Sequence, residues 1–161
     1  MIKNLIWHVQ GGLGKNVAAT SLINDLKQKY SDRRLVMIVS WPEIFLQHKG
    51  IDRLLHLGNT PHFYDDYVHN KDTLVFKHEA YESAHVHKSK HLIHNWCDLM
   101  DLEYKEQQPQ IVINYAQQQL SFNWKRDKPT MVLHSNGGPM QGQRYPYNWC
   151  RDIPHDLTIE I

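Results

Sequence analysis

The sequence predicts an α/β fold, a Rossmann-like parallel sheet flanked by helices. Three observations carry that expectation. Short apolar runs recur at residues 4–9, 35–39, 73–78 and 111–114, and segments of helical period lie between them. The first run ends in a glycine cluster, Gln10-Gly11-Gly12-Leu13-Gly14-Lys15-Asn16, which opens a helical segment. The second, Leu35-Val36-Met37-Ile38-Val39, is apolar at every position, as in a parallel strand covered on both faces. Strand alternating with helix is the pattern of a parallel sheet with crossover helices.

Each element follows from local chemistry. Residues 4–9 read as the first strand. A helix is expected from 16 to 30, with Asn16 as N-cap and Val17, Thr20, Ser21, Leu22, Ile23 and Leu26 on its buried side. After the strand at 35–39, Pro42 starts a short helical turn, since its fixed φ suits a first helical position. Residues 51–57 form a weaker third strand, and 62–67 an irregular ring-rich stretch. Residues 73–78 form the fourth strand, with Glu79 at its carboxyl end. A helix is expected over 85–102 with Val86, Leu92, Ile93, Trp96, Cys97, Leu99 and Met100 as its apolar set. Residues 111–114 read as a fifth strand, 116–127 as helix or loop, and 130–134 as a sixth strand. Trp7 and Trp96 are assigned to the core and Trp41 to a rim.

Bulk composition narrows the function classes. With 161 residues, 41% hydrophobic and 22% charged, the chain is long enough for a domain with a real core. A net charge of +1 supplies no basic field for nucleic acid or an anionic membrane. The apolar runs are far short of the ~20 residues of a membrane span. The first residues lead into a strand without a signal-peptide pattern, and two cysteines, Cys97 and Cys150, make no disulfide framework. A cytoplasmic, reduced protein is expected.

The glycine loop is the first candidate site. Ligands of open α/β sheets bind beyond the carboxyl ends of the strands. Amides at a helix start favour anions and oxygen-rich ligands, and glycines let a ligand approach the backbone. Gly11, Gly12, Leu13, Gly14 and Asn16 are therefore the expected cleft lining, with Trp41 on its rim. A second loop repeats the logic. The strand at 130–134 runs into Asn136, Gly137 and Gly138, with Arg144 following, a set of amide donors and a guanidinium that suits a diphosphate. The same dipeptides also make ordinary turns.

The order of these features resembles the N-terminal half of the ADP-heptose:lipopolysaccharide heptosyltransferase family of GT-B glycosyltransferases. The resemblance rests on the strand and glycine loop, on Val17-Ala18-Ala19-Thr20-Ser21-Leu22-Ile23, on Tyr30-Ser31-Asp32-Arg33-Arg34-Leu35, on Ser40 with Pro42-Glu43, and on the segment 51–58. It extends to Asn136-Gly137-Gly138, Arg144 and Trp149, which are similar to the entry into the family's second domain. It implies a Rossmann-like acceptor-side domain over 1–128 and the start of a donor-side domain over 129–161. It also implies a nucleotide sugar as co-substrate, a hydroxyl acceptor, and no bound metal or resident cofactor. The chain alone is then expected to bind a nucleotide sugar weakly or not at all. One departure matters. The family carries Gly-Asp in the first loop, with the aspartate as catalytic base, whereas this sequence has Gly14-Lys15. A lysine serves as base only with a sharply lowered pKa. Glu79 is the replacement candidate, with His8 and His78 behind it.

Other readings compete. Gln10–Asn16 also resembles the deviant phosphate loop of partition-type ATPases, although Asn16 stands where a hydroxyl would meet Mg²⁺. A non-catalytic binding module is a third class. His87, His91 and His94 share a helical face and could hold zinc, but a solvated face is the plainer reading. Tyr64, Tyr67, Trp41 and Trp124 are candidates to stack on a sugar or base. Cys97 and Cys150 read as small buried hydrophobes.

Overall fold

The architecture, taken from a computed structural model, is described for residues 2–81 and 90–122. The chain divides after Ile113 into two compact units. The expected boundary at 128/129, the sixth strand, His87, Trp124, Cys150 and the second glycine loop with Asn136, Gly137, Gly138 and Arg144 all lie outside the described residues.

The first unit is built on four parallel strands, β1 (Lys3–Val9), β2 (Arg34–Val39), β3 (Arg53–His56) and β4 (Asp72–Phe76). Their spatial order is β3-β2-β1-β4. The chain steps outward from β1 through β2 to β3, then returns to the other flank of β1. Trp7 pairs with Met37 on one side and Phe76 on the other, so β1 is central. This is the expected Rossmann-like class.

Side-chain alternation sorts the strands into two faces. Leu5, Trp7 and Val9 of β1 join Leu35, Met37 and Val39 of β2 in the main core, beneath α1 (Leu13–Ala19), α2 (Ile23–Lys29) and α3 (Leu92–Leu99). Trp7 and Trp96 meet edge to face at 5.4 Å, both 1% exposed, as expected of core rings. On the opposite face Ile6, Val36 and Ile38 pack with Tyr67 from a π-helical turn at Tyr64–Val68. Every residue from Leu35 to Val39 is buried, because both faces of β2 are covered.

Several boundaries differ from the sequence reading. The first helix starts at Leu13, not at Asn16, and its cap position is Gly12 with no side-chain cap. Asn16 lies inside the helix, where its amide donates back to the carbonyls of Gly11 and Gly12 at 3.3 and 3.0 Å. A 3₁₀ turn at Thr20–Leu22 joins α1 to α2; Thr20 and Ser21 hydroxyls donate to carbonyls three residues back, which competes with regular α-helix. The later helix is described only from Leu92, with His91 Nδ1 accepting from the Ile93 amide as its cap. The expected fifth strand is not formed. Residues 111–114 are irregular, and Ile111, Val112 and Ile113 are each about half exposed. The reason lies just upstream, where the Gln110 amide donates to Thr20 Oγ1 at 2.8 Å and ties the segment to the helical layer rather than the sheet edge.

Of the second unit, α4 (Tyr115–Phe122) is described. Asn114 and Gln117 cap it reciprocally, each side-chain oxygen accepting from the other's amide at 2.8–2.9 Å.

Candidate functional site

The strand order reverses between β1 and β4, and in open α/β sheets the ligand crevice lies at such a reversal, beyond the carboxyl ends of the strands. The loop leaving β1 is the glycine cluster. Gly11 has φ +109°, a left-handed conformation that glycine adopts without strain. Its amide donates to Ser40 Oγ and its carbonyl accepts from Trp41 Nε1, both at 3.1 Å. Residues at the exit of β2 thus hold the turn at the exit of β1. The Asn16 amide, fully buried, supports it from beneath.

Gly11, Gly12, Leu13 and Gly14, the expected cleft lining, are exposed. Trp41, bonded to the Gly11 carbonyl, is 42% exposed beside them. Asn16 is a correction. It is 0% exposed, and acts as the brace of the loop rather than as a surface of the cleft. Tyr67 is likewise buried at 8% and is removed from the stacking candidates, whereas Tyr64 is exposed.

The loop leaving β4 carries Glu79, and here the two candidates for chemistry meet. Lys15 Nζ donates to Glu79 Oε1, joining the first turns of α1 to the end of β4 across the reversal. The Tyr81 amide donates to the same oxygen at 3.3 Å, and the Lys15 ammonium lies 5.2 Å from the centre of the Tyr81 ring. The pair is asymmetric: the lysine side chain is 6% exposed and the glutamate 37%. Burial alone would raise the Glu79 pKa, but hydrogen bonds from Lys15 and the Tyr81 amide, the Lys15 charge and a hydrogen bond with Gln10 outweigh it and leave the carboxyl below its ordinary value. Glu79 is therefore ionised at neutral pH. Buried Asn95 of α3 donates to the carbonyl of buried Ala80, which fixes the loop next to Glu79.

His8 lies in the same region. Burial, then the charges of Lys77 and Lys15, push its pKa down, so the ring is neutral near pH 7. Its Nε2 is buried with no hydrogen-bond partner among the described residues. His78 is exposed, tilted against Phe76 at 6.1 Å.

Sequence reasoning missed Ser40 as a support of the loop, and Tyr81 and Asn95. Asn95 left a signal, a polar residue between the apolar positions Ile93 and Trp96. Of the histidine set, His91 and His94 are described, and each has a contact of its own. His91 caps α3, and His94 stacks on Tyr104 at 4.3 Å with the rings 2° from parallel. Among the described residues no cluster of His, Cys, Asp or Glu is arranged to hold a metal ion, and no helix is long and apolar enough to cross a membrane. Cys97 is buried, and burial pushes its thiol up to about 11, which makes it an inert core residue.

Fold and site together define a Rossmann-like α/β domain with an exposed glycine loop and a Lys15–Glu79 pair at the reversal of strand order. Comparison with protein-family models, curated proteins and solved structures returns no match for this chain.

Proposed function

We propose that this chain is the acceptor-side domain of a glycosyltransferase that moves a sugar from a nucleotide-sugar donor to a hydroxyl. The observation that carries the reading is Glu79, an ionised carboxylate anchored through one oxygen and still more than a third exposed at the strand-order reversal. In this reading the acceptor lies over Gly11, Gly12, Leu13 and Gly14 with Trp41 at its edge. Glu79 takes the proton of the acceptor hydroxyl as that oxygen bonds to the anomeric carbon, while the glycosyl–phosphate bond breaks and its electron pair leaves with the nucleoside diphosphate. A lowered pKa keeps Glu79 free of a proton at neutral pH but makes it a weak base. Proton transfer then belongs late in the step, when the forming bond has made the hydroxyl acidic. Lys15 is not the base in this scheme; it orients the carboxylate and keeps it charged. Asn136, Gly137, Gly138 and Arg144 remain the candidates for the donor diphosphate.

A phosphate-loop NTPase is the rival, favoured by the glycine-lysine loop between β1 and α1. Two contacts support the transferase reading over it. Lys15 is paired with Glu79, and the Asn16 amide is bound to the loop's own carbonyls. Screening glycans for binding to the chain, beside ATP with and without Mg²⁺, separates the readings. The transferase reading expects a glycan ligand whose binding weakens in Glu79→Gln and no Mg²⁺-dependent ATP binding. Metal-dependent ATP binding lost in Lys15→Ala would overturn it. If no glycan is found whose binding weakens in Glu79→Gln, a non-catalytic binding module is the better reading.

A further inference from the structure

A recess lies on the helical side of the glycine loop, between α1, α3 and the irregular segment that follows α3. Its volume is about 380 Å³, within the range of small-molecule pockets. Gly14, Val17 and Ala18, one face of α1, form a wall with Ile93. Tyr104, Glu106 and Gln108 line it from the opposite segment.

That segment lacks regular structure but is held in place. Gln107 Nε2 donates to Asp25 at 2.7 Å and to the Glu103 carbonyl at 2.8 Å, and its oxygen accepts from the Lys105 amide at 2.9 Å. The Tyr104 ring is backed by the parallel His94 ring. Glu106 stands in the left-handed region at φ 56°, uncommon for a residue with a side chain. The wall is thus preformed. Its polar side chains include Gln107, Gln108, His91 at the cap of α3, and Glu106, whose carboxylate makes no ion pair among the described residues. Anionic ligands are disfavoured. An apolar wall, an aromatic ring, a carboxamide and a carboxylate together suit a ring with C–H faces and hydroxyl edges.

We propose that this recess is a binding site for a neutral, hydroxyl-bearing ring of the pyranose type. The assignment goes beyond the transfer reading and does not depend on it. Gly14 belongs both to the recess and to the glycine loop, so the two places adjoin, but Glu79 is not part of the recess.

The test is a backbone amide shift titration of the whole chain with methyl α-glucoside, methyl α-galactoside and methyl α-mannoside, with glucose 6-phosphate and tetramethylammonium as contrasts. At least one neutral glycoside is expected to give saturable shifts at residues 14–18 and 104–108, and to bind more tightly than either contrast. Gln108→Ala and Glu106→Gln change exposed side chains and are each expected to weaken it severalfold. Val17→Phe, which fills the recess, is expected to abolish it in a protein whose spectrum stays dispersed. Glu79→Gln is expected to leave it unchanged, which separates this site from the crevice. The proposal is overturned if no neutral glycoside saturates, if a contrast ligand binds more tightly, if the shifts map elsewhere, or if Gln108→Ala and Glu106→Gln both bind as well as the parent.

Discussion

Lys15 and Glu79 show how much one contact decides. Deleting the glutamate charge leaves an ammonium in a site where the lysine side chain is 6% exposed. Breaking a fully buried pair costs about 3–5 kcal/mol, but Glu79 is partly solvated, so Glu79→Gln is expected to cost roughly 1–2 kcal/mol in urea denaturation. Lys15→Met, which removes the buried charge and keeps the length, is expected to cost less. The pH dependence has a defined sign. Glu79 is held below its ordinary 4.5, so its contribution is complete above that value and is lost as pH falls through the lowered one. Acid titration of stability should therefore be shallower in Glu79→Gln than in the parent. Gly11 is a second test. A Cβ there meets Lys15 Cδ at 3.3 Å, and φ of +109° disfavours any side chain. Gly11→Ala should destabilise by about 1–2 kcal/mol through left-handed strain alone. Glu79 was legible as a strand-end carboxylate. Its partner was not, because Lys15 and Glu79 are 64 residues apart and nothing local pairs them.

The elements with a strong local signal were the legible ones. β1, β2 and β4 follow their apolar runs, and Thr20, Ser21, Leu22, Ile23 and Leu26 are buried as the period requires, although the expected helix over 16–30 forms as α1, a 3₁₀ turn and α2. The run at 111–113 misled because an apolar β-branched triplet carries strand propensity wherever the chain goes, and the Gln110 tie to Thr20 sends it elsewhere. The stretch after it held an overlooked signal, since Asn114 and Gln117 have capping-box spacing. Asn114→Ala is expected to weaken α4 by about 1 kcal/mol, visible as reduced helical Cα shifts over residues 115–120. Gly50 is a further element-level constraint, placed where a Cβ would come within 2.9 Å of Ile23 Cγ2 on α2. Gly50→Ala should cost about 1–3 kcal/mol by overpacking, measured as a lowered melting temperature.

In the first unit the main core joins sheet to helices, and Trp7 and Trp96 meet within it. Trp96→Ala is expected to cost about 3–5 kcal/mol in global stability, because the ring leaves a cavity the parallel sheet cannot close. The sequence by itself determined the α/β class, the parallel strands, the glycine loop after β1 and the burial of the two tryptophans, because each follows from the period and size of neighbouring side chains. Tertiary structure alone decided that β4 returns to the flank of β1, that Lys15 meets Glu79 there, that Asn16 braces the loop instead of lining the crevice, and that residues 103–110 close a recess against α1. Those outcomes depend on contacts between residues far apart in the chain, and local pattern carries no information about which distant group will satisfy a buried donor or charge.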